Sequence, residues 1–197
     1  MEIVTPKNSV ESVEQRFISA YPRFRKVTFN VVDPGCDRIH HLMEADVLLV
    51  LMRLPDETWE RLKGVYFNDQ SRGGRRLGYT STRGRREISL CALPPRMSLT
   101  RFLTRGQTCE EFGARRGAQW SETAIRRFLI YDVFLHELGH LQIVDSHAKT
   151  PRRKFADETR AVDFATYWRN QLWSEDFPSP DPAHRPPSKE ELAALAD

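Results

Sequence analysis

Phe128-Leu-Ile-Tyr-Asp-Val-Phe-Leu-His136-Glu137-Leu138-Gly139-His140-Leu141 is the stretch on which the reading of this chain turns. Its nearly unbroken apolar character predicts a buried α-helix. On such a helix, residues four apart are rotated by about 40° and lie roughly 6 Å apart on one face, so the imidazoles of His136 and His140 can reach one metal ion. Glu137 falls beside that ion and not on it. There it can take a proton from a water whose pKa zinc lowers from about 15.7 to about 7. Two imidazoles and a carboxylate in a buried helix cost several kcal/mol unless something compensates them, and a divalent cation is the simplest compensation. Gly139 fits the same picture, because glycine inside a helix costs about 1 kcal/mol against alanine and is usually tolerated where another group approaches closely.

Catalytic zinc takes three protein ligands and keeps one position open, so the two histidines need a companion. The sequence offers Glu158, His147 and Asp145. Glu158 opens the run Glu158-Thr-Arg-Ala161-Val-Asp-Phe164-Ala165 on a following helix, which can turn back and present a carboxylate to form a His-His-Glu site. His147 would give a His-His-His site of the metzincin kind. That pattern requires a glycine and a histidine where this chain has Ile143 and Ser146, so it fails at both places.

Working outward, Val10, Val13, Phe17 and Ile18 predict an amphipathic helix over residues 8 to 20, stopped by Pro22. Val27 to Val32 reads as a strand ended by Asp33-Pro-Gly35. Val47 to Met52, short, apolar and bounded by Pro55, reads as a buried strand, with a helix beginning near Asp37 as the alternative. Asp56 to Leu62 suggests a short helix and Val65 to Phe67 a strand, and residues 76–81 with 86–93 a hairpin around Thr82-Arg-Gly84. Residues 98–120 have no clean period and read as loop with one short helix at most. Ser121 starts the metal-bearing helix, expected over Ala124 to Val144, and a second helix is expected over Phe155 to Trp173. A proline-rich stretch follows, then the capping box Ser188-Lys-Glu-Glu191 before a short terminal helix.

The bulk numbers narrow the function classes. A chain of 197 residues with 40% hydrophobic and 29% charged residues suits one globular domain, and no stretch has the roughly 18 apolar residues of a membrane span. The start of the chain lacks the basic-then-apolar pattern of a signal peptide, so a cytoplasmic location is expected. Cys36, Cys91 and Cys109 are odd in number and widely spaced, which fits reduced thiols. Net charge is +3, but Arg72, Arg75, Arg76, Arg83, Arg85 and Arg86 crowd into fifteen residues. Such a cluster suits nucleic acid or an acidic partner. The nucleic-acid reading is weakly supported, since Tyr79 is the only aromatic residue among the arginines.

The pair of signatures, H-E-x-x-H and E-x-x-A-x-x-F-A about 17 residues on, resembles the gluzincin branch of the zincin metallopeptidases, especially the intracellular ImmA/IrrE-type peptidases. The likeness covers roughly residues 125 to 170. It implies Zn²⁺ held by His136, His140 and Glu158, with Glu137 as general base, and Ala161, Phe164 and Ala165 packing the second helix on the first. Thermolysin-like relatives place an aspartate four residues after the ligand glutamate, where this chain has Val162, so Asp132, one turn before His136, is considered for orienting that ring. The expected fold is α+β and zincin-like, a small and mostly antiparallel sheet packed on the long H-E-x-x-H helix and the helix after it. A single domain is expected over residues 1–174, with a proline-rich tail and short helix over 175–197.

The function these readings imply is hydrolysis of a peptide or protein substrate, with no membrane involved. Two alternatives are a non-catalytic zinc-binding module, for peptide or nucleic acid, and a metal-dependent hydrolase of a non-peptide substrate. Under the peptidase expectation, residues 76–81 or 86–93 offer an edge strand on which substrate can pair. Tyr131, Tyr167, Arg160 and His147 are the candidates for stabilising the oxyanion.

Overall fold

The computed structural model describes residues 26–73, 75–81, 85–143 and 150–195. The helix expected over residues 8 to 20, the turn Thr82-Arg-Gly84 and the alternative ligands Asp145 and His147 lie outside them.

Four short strands form one sheet: β1 (Thr28–Val31), β2 (Gly64–Asn68), β3 (Gly78–Ser81) and β4 (Glu87–Cys91), in the order β1-β2-β4-β3. Strands β1 and β4 both run parallel to β2, with Thr28 and Glu87 opposite Gly64, and β3 is antiparallel to β4, with Ser81 opposite Glu87. The fold is α+β, but its sheet is mostly parallel, a correction to the mostly antiparallel one expected. The β3–β4 hairpin forms as read; the misreading lies upstream. Val47 to Met52 is no strand but the middle of helix α1 (Glu44–Arg53). A helix between two strands carries the chain back to the end where it started, and β2 then enters parallel to β1.

The reason α1 is helical lies at its ends. The Asp46 carboxylate accepts the Met43 N–H at 2.7 Å, Glu44 and Asp46 put negative charge in the first turn and Arg53 positive charge in the last. Pro55 prevents continuation. Its apolar residues Val47, Leu48, Val50 and Leu51 are all buried, so the run lacked the one-sided pattern that would have marked a surface helix.

The segment that carries His136 and His140 is one 21-residue helical rod in three parts: α2 (Glu122–Phe128), a π-helical turn (Leu129–Phe134) and α3 (Leu135–Gln142). Ser121 caps it by accepting the Ala124 N–H at 3.2 Å. Phe112, Trp120 and Phe128 pack around its first turns, with the Phe112 and Phe128 rings edge to face at 4.9 Å.

Helix α4 (Pro151–Ser174) is capped by Thr150 and begins with proline, whose fixed φ and missing N–H suit a first turn. It crosses α3 at Gly139, where an added Cβ would stand 3.1 Å from the Ala161 Cα and from the Phe164 Cβ. Any side chain there would force the helices apart. Ala161 and Ala165 are buried at this seam, in keeping with the packing role expected of them.

The stretch after α4 lies against the body. Arg53 donates to Glu175 at 3.2 Å, Arg126 to Asp181 at 2.6 Å, and buried Arg127 to both Glu191 oxygens at 2.9 Å. Glu191 belongs to α5 (Lys189–Ala193), whose capping box with Ser188 forms as read. Among the described residues no helix is long and apolar enough to cross a membrane, and Cys36, Cys91 and Cys109 are free thiols.

Candidate metal centre

Helices α3 and α4 bring together three of the residues singled out in the sequence. The Nε2 atoms of His136 and His140 stand 3.1 Å apart, and the Glu158 Oε2 lies 3.4 Å from the first and 3.6 Å from the second. A tetrahedral ion with ligand bonds near 2.05 Å separates its ligand atoms by about 3.3 Å, so this triangle has the dimensions such an ion needs. Without an ion, one ring can donate to the other at this distance; an ion bound by both would replace that hydrogen bond. Burial, helped by the neighbouring His140, holds the His136 pKa down to about 4, so this ring is neutral and free to ligate at ordinary pH. The donor set fits a divalent cation.

Glu158 is exposed, which leaves the ligand set open on one side. Glu137 is the opposite case. It is 9% exposed, and its Oε2 lies 2.7 Å from the Thr80 hydroxyl on β3, which is also 2.9 Å from the Glu137 carbonyl. Gly78 permits this approach, since a Cβ there would meet Val133 Cγ1 at 3.0 Å and the Ser89 carbonyl at 3.1 Å. Burial pushes the Glu137 carboxyl up to about 7, against the Thr80 hydrogen bond. When ionised, the carboxylate accepts from Thr80; when protonated, it can donate to the Thr80 oxygen while that hydroxyl turns to the backbone carbonyl. Either protonation state is satisfied.

A stability effect follows for the metal-free protein. A carboxyl titrating near 7 in the fold and near 4.5 when unfolded costs the folded state about 3 kcal/mol once both states are ionised. Its favourable protonated form is fully present below pH 4.5 and is lost as pH rises through 7. Glu137→Gln should therefore stabilise the chelated protein by a few kcal/mol at pH 8 and by almost nothing at pH 4, measured by urea denaturation at both pH values.

Two recesses meet at this centre and share Gly78, His136, Glu137 and Glu158. One, of about 380 Å³, continues past Tyr79, Thr80, His140, Ile143, Lys154 and Asp157. The other, of about 390 Å³, continues past Arg75, Arg76, Leu77, Phe102, Phe128 and Val133. Together they make a cleft running across the ligands, with the edge strand β3 along it.

Other expectations about the site change. Asp132 does not orient His136: its Oδ1 accepts from Arg169 at 3.0 Å and from the Gln107 amide. Arg169 also donates to Glu111 at 3.0 Å and sits on α4, so this buried link ties the two ligand-bearing helices together. Tyr131 is fully buried with its hydroxyl on His184, away from the cleft. Tyr167 and Arg160 do not line either recess; Thr80 and Lys154, which do, were not singled out, and Arg76, read in the sequence only as part of a basic cluster, lines one of them. Thr80 lies in a short strand, where threonine is too common to mark a site.

A second group of ligand-type side chains, Asp46, Asp181 and His184, also gathers within 4.8 Å. There Arg126 Nη2 lies 2.6 Å from both Asp46 and Asp181, so a guanidinium already supplies the positive charge and the group is an ion-pair cluster. Comparison of the chain with protein-family models, curated proteins and solved structures returned no match.

Proposed function

We propose that this protein is a zinc-dependent peptidase. The observation that carries the proposal is a buried carboxyl, Glu137, hydrogen-bonded to Thr80 and lining the same two recesses as a His-His-Glu triangle of tetrahedral dimensions. Two imidazoles with one carboxylate are a usual ligand set for catalytic zinc, which favours that ion over magnesium or calcium with their all-oxygen shells.

Zinc bound there would supply a Lewis acid that polarises a substrate carbonyl and acidifies water. The Glu137 carboxylate takes the proton of the attacking water and then delivers it to the leaving nitrogen as the C–N bond breaks. Thr80 holds the carboxylate in place through both transfers. Peptide is favoured as substrate because β3 is an edge strand whose Gly78, Tyr79 and Thr80 line the cleft, where an extended backbone can pair.

Native mass spectrometry of the untagged protein tests the metal half of this reading. One zinc per chain is expected, removable by chelator and accompanied by a lower melting temperature. An apo mass alone, even after incubation with zinc, would contradict it.

A further inference from the structure

We infer that the recess on the Arg76 side of the metal ligands is a carboxylate-binding subsite, so that the substrate is a peptide carrying an acidic group on that side of the cleaved bond. The inference rests on the peptidase reading above. The recess, of about 390 Å³, is lined by the apolar Leu77, Phe102 and Val133 and by the two arginines. That volume takes one long side chain and its charge.

The arginines are held in place. Both the Arg75 and Arg76 backbone N–H groups donate to the Ser71 carbonyl at 3.0 Å, and Ser71 is fully buried. The Arg76 guanidinium lies over the Tyr79 ring, 4.8 Å from its centroid, and the Tyr79 hydroxyl is itself fixed by Asn68 at 3.1 Å and Gln70 at 3.0 Å. A guanidinium already held against a ring loses little freedom on gripping a carboxylate.

Neither arginine forms an ion pair among the described residues, whereas Arg38, Arg53, Arg126, Arg127 and Arg169 each do. The acidic groups that share the recess are already engaged. Asp132 is held by Arg169 and Gln107, while Glu137 and Glu158 belong to the metal centre. With a divalent cation bound, the cleft end near Arg76 is positive, and the charge missing from it is an anion. Two parts of a peptide can supply a carboxylate, an aspartate or glutamate side chain and the C-terminus. Nucleic acid is disfavoured by the recess itself, whose aromatic rings are already engaged within the protein: Phe128 is fully buried and Arg101 lies over the Phe102 ring.

Zinc-loaded Glu137→Gln protein, which binds without turnover, is titrated by fluorescence anisotropy against labelled peptide pools rich in Asp and Glu or in Asn and Gln, each with free and amidated C-termini. The acidic pool, or the free-acid pool if the C-terminus is the source, should bind at least tenfold tighter. That preference should vanish with Arg75→Gln plus Arg76→Gln, survive Arg76→Lys and turn toward lysine-rich peptides with Arg76→Glu. No preference, a preference untouched by the double variant, or displacement of the peptides by a single-stranded oligonucleotide would overturn the inference. Cleavage by the wild type separates the two readings. Binding by these rules without cleavage sinks the peptidase reading alone, and cleavage indifferent to acidic groups sinks this inference alone.

Discussion

Glu137→Gln should keep the zinc and the fold and lose hydrolysis by roughly 10² to 10⁴ in rate, the usual worth of a positioned general base. Glutamine has nearly the same shape and can still accept the Thr80 hydrogen bond made at 2.7 Å, so the side chain stays where it is. It cannot take a proton. The three ligand atoms are contributed by other residues, and metal affinity should hold within a few fold. Single-turnover cleavage at matched zinc content measures the effect; a variant with wild-type rate would remove Glu137 as the base.

Glu158→Ala should weaken zinc binding by at least one to two orders of magnitude while leaving the metal-free fold intact. The side chain is largely exposed and its loss opens no cavity, so a drop in melting temperature should appear only when zinc is present. Competition against a chromophoric chelator gives the affinity. His147→Ala serves as the contrasting variant and should change it little. If affinity follows His147 and ignores Glu158, the third ligand has been misassigned.

Much of the site could be read from the sequence because its chemistry is local. His136 and His140 lie four residues apart on one helix, and the phase of an α-helix alone fixes their common face, with Glu137 next to the first of them. Glu158 needed one further step, a return helix, and Ala161 with Gly139 marks the seam where the two helices touch. What could not be read depends on residues far apart in the chain. Nothing local distinguishes a buried helix from a buried strand over Val47 to Met52, and that choice decided whether β1 and β2 ran parallel. The π turn before His136 leaves no compositional mark. Its Asp132 reads as a neighbour of His136 by spacing, but Arg169, 37 residues on, claims it. Thr80, 57 residues before its partner Glu137, becomes part of the site only through the pairing of β3 with β4.

The central claim, that the metal centre hydrolyses peptide bonds, is tested most directly by following cleavage of a denatured protein mixture as zinc is removed and returned. Cleavage by the purified, untagged protein should disappear on chelation and return with one equivalent of zinc per chain, and Glu137→Gln loaded to the same zinc content should leave the mixture uncut on that timescale. Cleavage that survives chelation, or equal cleavage by wild type and Glu137→Gln, would contradict the account.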